Sequence, residues 1–329
     1  MSIFLRFTSI LYCIASFLLF VQYVYSLTSV NSHHDHNDHH HHKQSKKLKL
    51  PINHSNLSRE RGDYRMLIAG GVQNHRSEFY RHVVSVRTAR ATAYFGDNHF
   101  CAGSIISDNL VLTAAHCVVD RRKIVTRDHR LMVVAGAPHR LLKYITTVEM
   151  KILDVIPHHE FVREGAHDIA LLRLDGSFPD DNDYIKVIPL ADRIIPNGTQ
   201  CTILGWGQVF YRGPYSAYSI HANVTVFSYE YCQKFYPDVF DETMICAGRP
   251  NTWDVNTCRG DSGGPLICRG QVAGVVSWSS YCGTVKKPTV FTSVFHHRNW
   301  IKVASGAEVV KILKSLQFFW YILCSYIFN

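Results

Sequence analysis

Short apolar segments, separated by turn-forming residues, recur along the chain from Tyr80 onward and limit its fold more than any other feature. They are rich in Val, Ile and Thr, and Gly, Pro, Asp or Asn lies between most of them. The segments are HVVSVR, GSIIS, NLVLTAAHC, LMVVAG, ITTVEMKIL, IALLRL, CTILGWG, ANVTVF, QVAGVVSW and TVFTSV. Many short strands at this spacing are typical of a β-barrel or a β-sandwich. We therefore predict an all-β fold, and both architectures stay open at this point.

Two further segments favour short helices. The stretch SYEYCQKFY, residues 228–236, begins with Ser228, a residue type that is preferred at a helix N-cap. A second helix is predicted to start near Phe295 and to continue past Trp300. The region from Ile68 onward holds roughly 240 residues, which is enough chain for a sizeable hydrophobic core.

The first 26 residues have the pattern of a secretory signal peptide. The apolar run ILYCIASFLLFVQYVYS follows Arg6 and ends at the small residue Ser26, after which polar residues begin at once. This pattern predicts cleavage near Ser26–Leu27 and a secreted, extracellular protein, with a membrane anchor as the alternative. The acceptor sequons at Asn53, Asn56, Asn197 and Asn223 are glycosylation candidates that fit a secretory route.

Residues 27–67 are polar and contain the low-complexity tract HHDHNDHHHHKQSKK. Such a segment cannot bury enough apolar surface to offset the loss of chain entropy, so we predict a disordered, histidine-rich pro-segment. Its histidines are candidate ligands for Zn²⁺ or Cu²⁺. A tract without fixed coordination geometry favours the simpler interpretation, a solvated pro-segment.

Residues 306–329 form an apolar C-terminal tail. Small residues at Ser305–Ala307 are followed by a spacer and then by a mostly apolar end, which resembles a GPI-attachment signal. The apolar part is too short for a confident membrane-spanning helix. Membrane attachment through this tail is one prediction, and an amphipathic helix packed on the domain is the other.

The cysteine content predicts a disulfide-bonded protein. Of the ten cysteines, Cys13 lies in the signal peptide and Cys324 in the tail. The other eight are Cys101, Cys117, Cys201, Cys232, Cys246, Cys258, Cys268 and Cys282. In an oxidising compartment an even, widely spaced set of eight predicts four disulfides, and the lack of a CxxC pair disfavours a zinc site. The net charge of +9 is spread along the chain, so no segment is basic enough to indicate a nucleic-acid partner, and none is expected.

The stretch NTCRGDSGGPLIC, residues 256–268, carries the chemistry, because it places Ser262 in a glycine-rich turn. A serine hydroxyl is a weak nucleophile that needs a base, a group to orient that base, and donors for the oxyanion. The glycines allow the N–H groups of Gly260 and Ser262 to point at one spot. His116 in LTAAHC and Asp168 in HDIALLRL are the candidate base and orienting group, because each lies at the end of an apolar run.

Taken together, LTAAHC, HDIALLRL and GDSGGPL in this order resemble the trypsin/chymotrypsin family of serine peptidases. Further matches are IAGG (68–71), GWG (205–207), MICAG (244–248), VVSW (275–278) and KPTVFTSV (287–294). The resemblance covers residues 68–305. It implies a peptidase domain of two six-stranded antiparallel β-barrels, chymotrypsin-like, with a C-terminal helix.

The resemblance also implies the role of each residue. Ser262 would attack the scissile carbonyl, His116 would take and return the proton, and Asp168 would hold the imidazole tautomer. The oxyanion hole would be formed by the N–H groups of Gly260 and Ser262. The substrate would be a protein or peptide, and serpin-type inhibitors would be further partners. No cofactor and no metal are expected, and the segment DRRKIVTRDHR is too basic for a calcium loop.

A disulfide pairing follows from the same resemblance. The pairs would be Cys101–Cys117, Cys201–Cys268, Cys232–Cys246 and Cys258–Cys282. All eight cysteines of the domain are then used, so none is left to tether the pro-segment.

Activation in this family would require an activating protease that frees the amino group of Ile68, which would then pair with Asp261. The chain departs from the family here, because Leu67 precedes Ile68 and the nearest basic residue is Arg65. A trypsin-like activator would therefore leave Met66 and Leu67 attached and keep the amino group out of its buried site.

The family's specificity pocket maps onto Asn256 at its base and onto Ser279 and Thr289 on its walls. Trypsins have an aspartate at the base, whereas Asn256 carries no charge. We predict a shallow, neutral pocket that prefers small or medium uncharged side chains over Arg or Lys, because a buried countercharge is missing.

Two functions are consistent with these residues. The first is a secreted serine endopeptidase made as a zymogen. The alternative is a catalytically silent homologue that acts as a binding or regulatory protein, suggested by the junction Leu67–Ile68 and by the altered pocket. The retention of both Ser262 and His116 favours the enzyme.

Overall fold

The computed structural model describes residues 78–253, 255–279 and 286–306. All of them belong to one compact unit, Arg61–Ala307. The predictions for the signal peptide, the pro-segment and the apolar tail beyond Gly306 lie outside the described residues. Within the described ranges, no helix is both long enough and apolar enough to cross a membrane.

The first half of the described chain closes into a six-stranded antiparallel barrel with the strand order β1-β2-β3-β6-β5-β4. The strands are β1 Val83–Thr88, β2 His99–Ile105, β3 Leu110–Thr113, β4 Leu131–Ala135, β5 Val148–Pro157 and β6 Ala170–Leu174. A short helix, α1 Ala115–Val118, follows β3. Single-turn 3₁₀ segments at Glu78–His82 and Asp128–Arg130 precede β1 and β4.

The second half closes into another six-stranded antiparallel barrel, with the order β10-β11-β12-β9-β8-β7. Its strands are β7 Gln200–Gly205, β8 Ile220–Val226, β9 Met244–Gly248, β10 Pro265–Cys268, β11 Gln271–Trp278 and β12 Thr289–Ser293. This confirms the barrel alternative and the two-barrel fold that the resemblance implied.

Two helices accompany the second barrel. Helix α2, Tyr229–Phe235, is capped by the side chain of Ser228, which accepts a hydrogen bond from the amide of Tyr231. The predicted C-terminal helix is present as α3, Arg298–Ala304, and it begins later than expected. The reason is a turn at its start, where the ring of His297 points inward and contacts the carbonyl of Ser293 through Nδ1 at 2.7 Å.

Each barrel has its own apolar core, and a third apolar layer joins the barrels. Leu172 lies in the core of the first barrel, whereas its neighbour Leu171 packs in the layer shared with Ile267 and Val275 of the second barrel. Successive side chains of a strand point to opposite faces. Strand β6 is therefore apolar at adjacent positions because both of its faces are buried.

Three disulfides brace the barrels as the resemblance implied: Cys101–Cys117, Cys201–Cys268 and Cys232–Cys246. Cys258 is also disulfide-bonded, and its expected partner Cys282 lies outside the described residues. Removing a native disulfide from a small secreted domain typically costs about 2–5 kcal/mol, so these bonds stabilise the fold substantially.

Leu172, on the inward face of β6, allows a test of the core packing. Leu172 is fully buried, whereas Leu153 on β5 is 58% exposed at a β-bulge. We expect Leu172→Ala to lower the free energy of unfolding by about 2–5 kcal/mol, because it leaves a cavity. The matched change Leu153→Ala should cost less than about 0.5 kcal/mol. Urea unfolding followed by tryptophan fluorescence measures both values, and equal losses would contradict the assigned burial.

Candidate active site

His116 and Asp168 meet because of the register between β3 and β6. Thr113, the last residue of β3, pairs with Ala170, the first residue of β6. His116 follows β3 on helix α1, and Asp168 lies just before β6. Pairing of the strand ends therefore brings two residues that are 52 positions apart to the same edge of the first barrel.

The carboxylate of Asp168 is held from three directions. Its Oδ1 accepts a hydrogen bond from the amide of His116 at 2.8 Å, and its Oδ2 accepts one from Nδ1 of the same ring at 2.6 Å. The hydroxyl of Ser277 donates to Oδ2 at 2.5 Å. The hydroxyl of Thr292 donates to the backbone carbonyl of Asp168 at 2.8 Å. Ser277 and Thr292 belong to the second barrel, so the carboxylate lies where the two barrels meet.

These contacts determine the charge of Asp168. Burial raises the pKa of a carboxyl group, but attraction to His116 and the hydrogen bonds from His116 and Ser277 outweigh burial and hold the pKa below its usual value. The carboxylate is therefore ionised at neutral pH. Because an ionised carboxylate only accepts hydrogen bonds, Nδ1 of His116 carries the proton and Nε2 has a free lone pair.

Ser262 lies in a turn of residues 258–264, here called the serine turn, which packs against the strand end that leads to His116. The carbonyl of Ser262 accepts a hydrogen bond from the amide of Ala102 at 2.8 Å. Gly263 has φ +79°, and a Cβ there would collide with the carbonyl of Ala102 and lie 3.0 Å from the amide nitrogen of Ala114. Only glycine fits this close approach, so the turn's sequence is matched to its neighbours.

Three amides of the serine turn have no acceptor among the described residues, and one of them belongs to the exposed residue Arg259. Asp261 and Gly263 donate their N–H groups to the carbonyls of Cys258 and Val276. By contrast, the amides of Gly260 and Ser262 donate to no acceptor within the described part of the chain. Unpaired backbone donors are uncommon in folded proteins, and these two are the pair that the sequence predicted as oxyanion donors.

No hydrogen bond joins the hydroxyl of Ser262 to the imidazole of His116, both of which are described residues. Nucleophile and base are often loosely aligned without substrate and tighten when it binds. The structure thus places the segments of Ser262, His116 and Asp168 side by side, and it forms the hydrogen bond between the last two.

Asp261 is buried without a positively charged partner among the described residues. Its Oδ1 accepts from the amide of Gly207 at 2.8 Å and its Oδ2 from the amide of Cys258 at 2.9 Å. A Cβ on Gly205 or Gly207 would overlap the carboxylate, which explains the glycines of the segment GWG. Burial raises the pKa of Asp261 to about 7, although the two amides act in the opposite direction.

Two of the three predicted pocket residues, Asn256 and Thr289, are hydrogen bonded to each other. Thr289 donates its hydroxyl to Oδ1 of Asn256 at 2.5 Å, and Nδ2 of Asn256 donates to the carbonyl of Lys287 at 3.1 Å. Ser279 donates to the carbonyl of Thr257 at 3.1 Å. Asn256 and Thr289 are 4% and 2% exposed. The bottom of the predicted pocket is therefore uncharged, and the polar groups of Asn256 and Thr289 are already hydrogen bonded.

The sequence reasoning missed two supporting residues. Ser277, which holds Asp168, lies in the quoted segment VVSW but was given no role. His99 gave no signal in the sequence: its Nε2 lies 3.1 Å from the carbonyl of Gly260 and its Nδ1 lies 2.8 Å from the hydroxyl of Ser85. Burial and nearby arginines lower the pKa of His99 to about 3, so the ring is neutral and steadies the serine turn.

The remaining predicted residues divide by location. Asn197 and Asn223 are exposed, as glycosylation requires. Ile68, Asn53 and Asn56 lie outside the described residues.

Comparison with known proteins gives consistent results. A family model described as Trypsin matches residues 68–301. Kallikrein-8 of Rattus norvegicus is 36% identical over 222 residues, which cover 65% of this chain and 81% of that protein. Trypsin-3 of Salmo salar is 35% identical over 208 residues, covering 62% and 82%.

A solved structure, described as neuropsin, a serine protease expressed in the limbic system of mouse brain, is similar with a TM-score of 0.59 and 30% identity. The similarity covers 69% of this chain and 96% of that one. The matched region contains both barrels and the segments of His116, Asp168 and Ser262. The chain therefore belongs to the trypsin family of serine endopeptidases.

Proposed function

We propose that this chain is a secreted endopeptidase, made as a zymogen, that hydrolyses peptide bonds with Ser262, His116 and Asp168. One observation carries the proposal: Asp168 is hydrogen bonded to both the amide and the ring of His116, next to a serine turn in which the amides of Gly260 and Ser262 are unpaired. This arrangement supplies a base, an orienting group and oxyanion donors around one hydroxyl.

The geometry supports a two-stage reaction. The Oγ atom of Ser262 attacks the carbonyl carbon while Nε2 of His116 takes the hydroxyl proton, and Asp168 stabilises the imidazolium through Nδ1–H. The negative oxygen of the tetrahedral intermediate binds the amides of Gly260 and Ser262. The imidazolium then protonates the leaving amine, and a water molecule repeats these steps to release the acyl group from Ser262.

Secretion is supported by the apolar N-terminal segment and by the three disulfides, which persist in oxidising compartments. Attachment through the apolar tail, and serpin-type inhibitors as partners, are further parts of the proposal. An activating protease is the other proposed partner; to free the amino group of Ile68 it would have to accept Leu67, or a trimming step would have to follow cleavage after Arg65.

Activation is proposed to act through Asp261. Cleavage before Ile68 would create a positively charged α-amino group that can pair with this buried carboxylate. Asp261 is bound to the amide of Cys258 at the start of the serine turn. A charge that pairs with Asp261 would therefore stabilise the turn that presents the amides of Gly260 and Ser262.

The first test is a pH titration of the uncleaved chain with Ser262→Ala to prevent autolysis. The folded chain keeps the Asp261 proton up to about pH 7, whereas the unfolded chain releases it near 3.8. The folded state thus binds more protons in this window, and the free energy of unfolding should fall as the pH rises from about 4 to about 7.

Asp261→Asn should remove this part of the pH dependence, whereas Asp175→Asn, at an exposed carboxyl, should keep it. Urea unfolding at a series of pH values measures the slope. The same slope with and without the Asp261 carboxyl would rule out the assigned pKa.

The second test asks whether Ser262 is a nucleophile. We expect a chain whose junction is replaced by a sequence that enteropeptidase cuts immediately before Ile68 to react with a fluorophosphonate after cleavage. Trypsin cleavage after Arg65 of the chain with its native junction is the matched control, because Met66 and Leu67 then stay attached and should prevent labelling.

Ser262→Ala should abolish labelling and lower peptide turnover by about 10⁴-fold or more. The absence of labelling after verified cleavage would favour the alternative function, a catalytically silent homologue that binds other proteins. The missing hydrogen bond between Ser262 and His116 is the observation that keeps this alternative open.

The proposed specificity follows from the pairing of Asn256 with Thr289. The Asn256 amide is already satisfied by Thr289 and by the carbonyl of Lys287. A substrate Arg or Lys would therefore meet a neutral group without a countercharge, and burying its charge there is costly. The pocket fits small or medium uncharged side chains better.

The third test changes this preference. We expect the double variant Asn256→Asp/Thr289→Gly to gain cleavage after Arg or Lys by roughly 10²-fold relative to the parent, because it adds a carboxylate and opens the space above it. Asn256→Asp alone is the control and should gain less, since Thr289 still covers the base. Profiling of the cleaved enzymes on a peptide library measures both, and strong preference for Arg in the parent would contradict the assignment.

A further inference from the structure

Three histidines outside the proposed catalytic residues form a mostly buried cluster to which both barrels contribute. His158 directly follows β5, His167 precedes Asp168, and His297 precedes helix α3. His158 and His297 are 6% and 3% exposed, and the side chain of His167 is 26% exposed. No metal site is predicted from the sequence of the folded domain, and the proposed reaction uses none of these rings.

The ring nitrogens of the cluster lie close together. One nitrogen of each ring is within 4.8 Å of the other two. Nδ1 of His167 lies 3.0 Å from Nε2 of His297. Tetrahedral zinc with Zn–N distances of about 2.0–2.1 Å needs nitrogens about 3.3 Å apart, so this pair already has nearly the required spacing.

The surroundings of His297 fix its lone pair toward the cluster. Its Nδ1–H donates a hydrogen bond to the carbonyl of Ser293, at 2.7 Å. Nε2 is then unprotonated and faces His167. A ring N–H bound to a backbone carbonyl, with the other nitrogen free, is the usual arrangement of a metal-binding histidine.

The other two rings need only local changes. The rings of His158 and His167 are stacked, with centroids 4.5 Å apart and an interplanar angle of 8°. Ring nitrogens bind metals in the plane of the ring, so the ring of His158 must turn for all three nitrogens to converge. Its Nδ1 accepts only a local hydrogen bond from the amide of Glu160 at 3.2 Å.

His167 must change its tautomer. Its Nδ1 now donates to His297, and metal binding requires that proton to leave Nδ1 and a proton to be held on Nε2. The carboxylate of Glu160 lies 3.9 Å from Nε2 and is placed to accept a hydrogen bond from it.

We propose that His158, His167 and His297 form a binding site for a divalent transition metal, with zinc as the best match, that ties the two barrels together. Three imidazoles and an open fourth position suit zinc, whereas calcium and magnesium prefer oxygen ligands. His158 and His167 belong to the first barrel, and His297 follows β12 of the second. Metal bound by all three rings therefore links the barrels and stabilises the folded state.

The test uses the uncleaved chain with Ser262→Ala and Co²⁺ as the spectroscopic probe, followed by Zn²⁺ competition. We expect His158→Gln and His297→Gln each to remove one equivalent of tetrahedral Co²⁺, or to weaken its binding by at least about tenfold. His159→Gln is the matched control, since this neighbouring side chain is 77% exposed and outside the cluster. The histidine tract of residues 33–42 is the same in every variant and cancels in the comparison.

Thermal unfolding provides a second readout. Zn²⁺ should raise the Tm of the parent and of His159→Gln by several degrees, and it should raise the Tm of His158→Gln and His297→Gln much less. Circular dichroism without metal shows whether each variant is folded. His158→Gln leaves the contact of His297 with Ser293 in place, so it decides the result if His297→Gln is unstable. Equal Co²⁺ stoichiometry, affinity and Zn²⁺-dependent Tm shift in parent and variants would overturn the proposal, because the metal would then bind elsewhere, including the histidine tract.

Discussion

The burial of the Asp168 carboxylate between two barrels is the interaction on which the rest of this structure depends. A side chain that is 1% exposed can stay ionised only when its oxygens are hydrogen bonded and a partner offsets the lost hydration. His116 supplies an amide and a ring N–H from the first barrel, and Ser277 supplies a hydroxyl from the second. Moving either barrel would leave the carboxylate without some of its hydrogen-bond donors. Its contacts therefore fix both the orientation of the His116 ring and the position of one barrel against the other.

Asp261 shows what happens when burial is not matched by charge. Its carboxylate accepts hydrogen bonds from two backbone amides, whereas that of Asp168 accepts one from a backbone amide. No cationic group among the described residues faces Asp261. The two carboxyl groups are equally buried, yet the pKa of one is lowered and that of the other is raised to about 7. The charge partner, more than burial, therefore decides the protonation state. At neutral pH one buried carboxyl group is therefore ionised, whereas the other holds its proton up to about pH 7.

Most of the fold could be predicted from local patterns because strands of Val, Ile and Thr alternate with turn residues. Strands β9 and β10 were not among the predicted runs. Their segments MICAG and PLIC are five and four residues long, and neither contains the Val or Thr residues that mark most of the predicted runs. Helix α3 began later than predicted because a turn, held by the contact of His297 with Ser293, occupies the positions before Arg298. Local patterns do not record such tertiary contacts.

The sequence by itself determined which chemistry is available: a serine in a glycine-rich turn, a histidine and an aspartate at the ends of apolar runs, and an even set of cysteines. Only the tertiary structure decided which other side chains meet them. Ser277 reaches Asp168 across 109 positions, Asn256 pairs with Thr289, and His167 meets His297 across 130 positions. Hydrogen bonds and metal coordination act over about 2–3 Å, whereas strand and turn patterns describe only near neighbours in the chain. Closure and packing of the barrels set those distances, and no local pattern contains them.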